Sequence, residues 1–214
     1  MDIKVRENEK FLCIGDSITD CGRVLQNFPL GNGYVKIFSD LLVSCFPERK
    51  IEVVNKGISG NTVCDLRNRW EDDVIYHKPQ WISILIGIND AHRIICESPD
   101  CKMHTQEKFI ENYRYVIKRT MDEIKSNIIL MEPFYISNDR SDNWRKNVLD
   151  LLEKYRMNVL KLSEEFSIPI IKLHDIFQKA LVYYDADTFC PEPVHPNNTG
   201  HTLIAVSLLN ALKK

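Results

Sequence analysis

Apolar residues recur along this chain in two alternating styles. Short, nearly continuous apolar runs at residues 10–14, 51–55, 81–86, 127–131 and 168–173 predict strands, with Ser83 the one polar residue inside the third. Between them lie longer stretches with helical spacing. Residues 34–46 place Val35, Phe38, Leu41, Leu42 and Cys45 on one face, and residues 62–76 predict a second helix. Residues 105–125 carry Phe109, Tyr113, Val116, Ile117 and Met121 as a stripe. Residues 143–166 do the same with Trp144, Val148, Leu151, Leu152, Tyr155, Val159 and Leu162. A shorter helix is predicted near 175–182, and a last one over 198–212.

Strands that are apolar on both faces must be covered on both faces. Their alternation with helices therefore predicts an α/β three-layer sandwich around a five-stranded parallel sheet. Right-handed crossovers give the flavodoxin-like strand order 2-1-3-4-5. In such sheets ligands bind beyond the carboxyl ends of the strands, at the switch point between strands 1 and 3. No repeat, low-complexity tract or linker interrupts the pattern, so residues 1–214 read as one domain.

Composition narrows the function classes. Lys plus Arg is 28 and Asp plus Glu is 30, a net charge of −2 that argues against nucleic acid or an anionic membrane as partner. The first ten residues are charged throughout and lack the apolar stretch of a secretory signal. The longest apolar run, at residues 81–88, is far shorter than a membrane span. Seven cysteines, an odd number scattered over strands, helices and loops, with Cys13 and Cys45 at apolar positions, point to a reducing, cytoplasmic compartment.

Chemistry gathers where the strands end. Strand 1 runs into Gly15-Asp16-Ser17, strand 2 into Gly57-Ile58-Ser59-Gly60-Asn61-Thr62, and strand 3 into Gly87-Ile88-Asn89-Asp90. A fourth group, Glu192-Pro193-Val194-His195-Pro196, precedes the last helix. Acyl transfer needs a nucleophile, a base, a group that orients the base, and donors for an oxyanion. Ser17, His195 and Glu192 supply the first three, and the Ser17 and Gly60 amides with the Asn89 side chain supply the last. Asp16 and Asp90 read as supporting residues that hold the turns. Neither a metal nor any other cofactor is required. The absence of a G-x-S-x-G elbow argues against an α/β-hydrolase of that type.

Together these four blocks resemble those of the SGNH (GDSL-type) hydrolase family, whose named residues match Ser17, Gly60, Asn89 and His195 in order. The stretches FLCIGDSITDCG, VVNKGISGNT, IGIND and ILMEPFY, and Gly200-His201, further resemble intracellular bacterial acetylxylan esterases of that family. The resemblance implies removal of acetyl groups from xylo-oligosaccharides by a homo-oligomeric enzyme. The family's last block is usually Asp-x-x-His, and here glutamate stands in the acidic position. Its extra methylene adds roughly 1 Å of reach, and Pro193 restricts the loop that must absorb it. Asp185 and Asp187, on the same loop, compete for the role.

Other residues carry alternatives. His92, Cys96, Cys101 and His104 form an H-x3-C-x4-C-x2-H cluster in the segment after strand 3; it lacks a C-x2-C pair and reads as variable loop rather than zinc site. Tyr135, Trp144, Tyr183, Tyr184 and Phe189 are candidate sugar-subsite aromatics. Trp144 and Tyr155 fit the helix stripe better, and the tyrosine pair is the preferred subsite. His201 reads as a packed or surface histidine. A lysophospholipase or thioesterase on the same scaffold is the rival reading. A non-catalytic carbohydrate binder or a signalling domain with Asp90 as phosphoacceptor is the remote one, since it leaves Ser17, Gly60 and His195 without a role.

Overall fold

The computed structural model describes residues 2–96 and 105–214. Five parallel strands run in the order β2-β1-β3-β4-β5: β1 (Lys10–Gly15), β2 (Glu52–Gly57), β3 (Trp81–Leu85), β4 (Asn127–Met131) and β5 (Ile170–Ile171). Leu12 pairs with Val54 on one side and Ile82 on the other, and Ile82 pairs in turn with Ile128. Alternating side chains therefore stack in rows across the sheet. Phe11, Cys13, Leu85, Ile129 and Met131 line one face, and Leu12, Ile14, Ile82, Ile84, Ile128 and Leu130 the other.

Each face is sealed by helices. The first packs against α2 (Tyr34–Cys45), α7 (Leu173–Ala180) and α8 (Asn198–Ala211). The second packs against α3 (Val63–Trp70) and α5 (Gln106–Glu123). The long α6 (Asn143–Phe166) contributes to both, with Val148, Leu149 and Leu152 on the first core and Tyr155, Val159 and Leu162 on the second. Two short helices, α1 (Ser17–Asp20) and α4 (Ile88–Cys96), begin at or just past the ends of the two strands that flank the switch point.

Several elements depart from the sequence expectation for identifiable reasons. Strand β5 is two residues long, because Pro169 has no N–H to give the ladder and Ile168 N instead bonds Ser163 O to close α6. The helix expected over 62–76 is interrupted by a π turn at Glu71–Ile75. Residues 88–96, read as loop, are helical: Ile88, Ala91 and Ile95 recur at helical spacing, and the Ala91 amide bonds the Gly87 carbonyl. Cys45 and Met121, placed on apolar stripes, are exposed at the ends of theirs. No described helix is long and apolar enough to cross a membrane.

Candidate active site

Strand β1 ends at Gly15, where a Cβ would lie 2.2 Å from the Leu85 carbonyl oxygen, so only glycine lets the chain leave the sheet between β2 and β3. Asp16 then caps α1, its Oδ1 accepting from Ile18 N at 3.0 Å. Ser17 is consequently the first helical residue and not the cap, and its hydroxyl is left for other work. That hydroxyl lies 2.9 Å from His195 Nε2.

His195 sits on the loop between Phe189 and Asn198, and its Nδ1 lies 2.5 Å from Glu192 Oε1. Glu192 also accepts from the backbone of the same loop, Oε1 from His195 N at 2.8 Å and Oε2 from Val194 N at 3.0 Å. The loop thus curls around its own carboxylate, which takes up the extra methylene. Pro193 O accepts from Ile136 N at 2.8 Å and pins the curl to the segment after β4. With Nδ1–H donating to Glu192, Nε2 is left as an acceptor facing the serine hydroxyl. Asp187 lies in a short 3₁₀ turn whose carbonyl accepts from Asn197 Nδ2, and Asp185 precedes that turn. The carboxylate that bonds His195 is Glu192's.

The other two blocks close on the same point. After β2, Ile58 N bonds Gly15 O, Ser59 bonds the Asp20 carboxylate, and Gly60 takes φ +79, a conformation that favours glycine. Gly57 is a packing residue: a Cβ there would lie 2.1 Å from Asp20 N. Asn89, in the first turn of α4, donates through Nδ2 to Asn61 O at 2.9 Å, which orients its amide and leaves the second N–H. Asp90 accepts from Val63 N through both oxygens at 3.2 Å and so ties α4 to the start of α3.

Burial sets the charge of the groups around these donors. Burial pushes the carboxyls of Asp16 and Asp90 up to about 7. Burial pulls His174 and His201 down to about 4, so both are neutral in the fold. His201 packs between helices, its Nδ1 accepting from Tyr34 N at 3.2 Å, one of the amides that the start of α2 cannot satisfy itself. A depressed histidine stabilises fully above its unfolded value of about 6.5 and loses that contribution as pH falls toward 4. The raised carboxylates act in the opposite sense over an overlapping window, so the effect must be read as a difference. Between pH 7 and pH 4 the native chain is expected to lose roughly 2–3 kcal/mol more stability than His201→Asn, whose amide oxygen can replace Nδ1. Denaturant melts at the two pH values check this, and parallel losses would refute it.

The aromatic candidates separate. Tyr135 and Phe189 are buried, whereas Tyr183 and Tyr184 are exposed. Trp144, assigned to the core stripe, is 44% exposed and lies 6.2 Å from the His92 ring. Tyr155 is fully buried, as its stripe position required. The His92 ring is within electrostatic reach of Glu192 and His195. Of the supposed zinc cluster, His92 lies on α4 and not in a loop, while Cys101, His104 and the side chain of Cys96 fall outside the described residues.

A serine hydroxyl facing a carboxylate-oriented imidazole, beside a glycine turn and a free amide, is equipped for acyl transfer without a cofactor. Comparison with known proteins bears on the same point. The model of the GDSL-like lipase/acylhydrolase family matches residues 13–203. The chain belongs to that family. It is a carboxylic ester hydrolase on the family's scaffold. An acetylxylan esterase from Geobacillus stearothermophilus is 38% identical over 218 residues, covering 98% of this chain and 96% of the relative. The crystal structure of an acetylxylan esterase from that organism superposes with a TM-score of 0.84 at 37% identity, covering 98% and 96% of the two chains. Crystal structures of three catalytic mutants of it, in which an aspartate, a histidine or a serine is changed to alanine, superpose equally well. An alpha/beta hydrolase enzyme from the metagenome of Lake Arreo, Spain, gives 0.87 at 30% identity, covering 98% and 97%.

Sequence reasoning missed two residues of this hydrolase that bear on the site. Arg69 and Arg93 both donate to the loop that carries Gly60. Arg69 was visible only as an i,i+4 partner for Asp73, and Arg93 only as a cation four residues after Asn89.

Proposed function

We propose that the chain removes acetyl groups from acetylated xylo-oligosaccharides through an acyl-Ser17 intermediate. The single observation that carries the mechanism is the relay Ser17 Oγ, His195 Nε2, His195 Nδ1, Glu192 Oε1, with contacts of 2.9 and 2.5 Å. Ser17 attacks the ester carbonyl as His195 takes its proton. The Ser17 and Gly60 amides and the Asn89 side chain hold the negative oxygen. His195 then gives its proton to the departing sugar hydroxyl, leaving acetyl-Ser17. A water molecule, deprotonated by His195, attacks that ester, and acetate leaves as Ser17 recovers its proton. Glu192 holds the imidazole in the reactive tautomer and stabilises it while it is charged. Asp16 and Asp90 support the reaction by holding the backbone on either side.

Similarity to the Geobacillus acetylxylan esterase over nearly the full chain supports the substrate class. An apolar groove of about 450 Å³ lies along α8, lined by Phe189, Asn198, Thr199, Thr202, Leu203 and Val206. None of Ser17, Gly60 and Asn89 lines it, which disfavours the lysophospholipase reading. Acetate release from acetylated xylo-oligosaccharides, together with a nitrophenyl ester series, tests the proposal. Turnover falling from two carbons to eight is expected, and a preference for eight or more would overturn the acetyl assignment. Cytoplasmic residence fits the five cysteines whose side chains are described, all of which are free thiols. Self-assembly would cover exposed apolar residues such as Leu25, Phe28 and Tyr183.

Asn89→Ala is expected to lower kcat by about 10²–10³-fold, the usual effect of losing one oxyanion donor, with KM little changed. Kinetics on a nitrophenyl acetate check this, and an intact kcat would remove Asn89 from the oxyanion hole.

A further inference from the structure

We infer that Arg69 is a positioning residue for the oxyanion hole, resting on the mechanism proposed above. Arg69 projects from α3, is largely buried with a side chain 15% exposed, and spends its whole guanidinium on the back of the site. Nη2 donates to Gly15 O at 3.1 Å, two residues before the nucleophile. Nη1 donates to Lys56 O at 2.8 Å, at the end of β2, and to Asp73 Oδ2 at 2.5 Å. Nε donates to the Asn61 side-chain oxygen at 2.8 Å. Asn61 is the residue whose own carbonyl receives the Asn89 amide.

One planar fork therefore touches two of the three segments that supply oxyanion donors and is linked to the third. It holds Gly15 directly before Asp16 and Ser17, holds the residue after Gly60, and reaches Asn89 through Asn61. Gly60 has φ +79 and nothing within 4 Å of where its Cβ would lie, so its own packing does not fix the peptide. Arg93 Nη2 holds the Gly60 carbonyl from the outer side at 3.3 Å, but that side chain is exposed. Arg69 is the rigid member of the pair. Asp73 and Lys56 complete an ion-pair cluster behind it, in which Asp73 stays ionised against the cost of burial because Arg69 and Lys56 face it.

A merely structural arginine would affect stability and not the partition between kcat and KM. The experiment compares Arg69→Met, Arg69→Lys and Asp73→Asn with the native enzyme, using nitrophenyl acetate kinetics and the rate of Ser17 phosphonylation by a fluorophosphonate. Arg69→Met is expected to lose about tenfold or more in kcat with KM within about twofold, since misplacement by 1 Å can cost up to about 10²-fold. Phosphonylation should slow in parallel, because it uses the same donors. Arg69→Lys keeps a positive charge beside Asp73, but its single ammonium cannot span the four acceptors that the fork reaches, so it should recover only part of the rate. It keeps the ion pair of the fold and serves as the test if Arg69→Met does not fold. Asp73→Asn should lower the melting temperature and leave kcat within about threefold, as expected for a change that spares the fork. Native kcat in Arg69→Lys, an equal kcat loss in Asp73→Asn, or a rise confined to KM would each overturn the assignment. Ser17→Ala run alongside keeps the two readings apart: retained Ser17→Ala activity would sink the mechanism, whereas its loss with native Arg69→Lys kinetics sinks only the role of Arg69.

Discussion

Ser17→Ala is expected to lower kcat for acetate release by on the order of 10⁵–10⁶-fold while leaving the fold intact. The residual rate would come from the oxyanion donors and substrate binding, which act without the nucleophile. Among the described residues Ser17 Oγ bonds outward, to His195 Nε2, whereas the capping of α1 is done by Asp16. Removing the hydroxyl therefore deletes no bond that holds an element together, and stability should change by less than about 0.5 kcal/mol. Thermal melts and fluorophosphonate labelling complete the measurement. A variant that still turned over at a tenth of the native rate would rule out the acyl-Ser17 mechanism.

Glu192→Gln is expected to cost about 10³-fold in kcat. Glu192 accepts three N–H groups, from Val194, His195 and the imidazole. A glutamine offers one acceptor oxygen, and its amide must face at least one of those donors. If the amide turns toward the imidazole, Nδ1 becomes the acceptor and Nε2 carries the proton, the tautomer that cannot deprotonate Ser17. If it turns toward Val194, the loop itself is strained. The pair is half exposed, with side-chain exposures of 54% for His195 and 46% for Glu192, so water softens the loss below the roughly 10⁴-fold seen in buried triads. Asp187→Asn should retain near-native turnover. The reverse pattern, a crippled Asp187→Asn beside an active Glu192→Gln, would falsify the assignment of the third triad residue.

Much of the scaffold was legible before any coordinates. The strand order follows from alternation and handedness, and the five strands lie within the apolar runs or at most two residues past their ends. What was misread was decided by distant partners. Trp144 fits a helical stripe read as core or interface, yet it is 44% exposed and its ring meets His92 on α4 instead of the sheet core. Residues 88–96 read as loop because four polar residues, Asn89, Asp90, His92 and Arg93, dilute the apolar period.

The chain's own pattern of residues determined that a parallel sheet forms, that its switch point lies between β1 and β3, and that a serine, a glycine, an asparagine and a histidine arrive there. These follow from local periodicity and chain order, which depend on neighbours in sequence. Tertiary structure alone decided how His195 is oriented and how the loops that carry Ser17, Gly60 and Asn89 are held. Glu192 reaches His195 because its loop curls around the carboxylate and is pinned by Ile136, and Arg69 joins Gly15 to Lys56 and Asn61, up to 46 residues apart. Hydrogen bonds of that kind are fixed to tenths of an ångström by packing across the sheet, and no spacing rule along one chain carries that information.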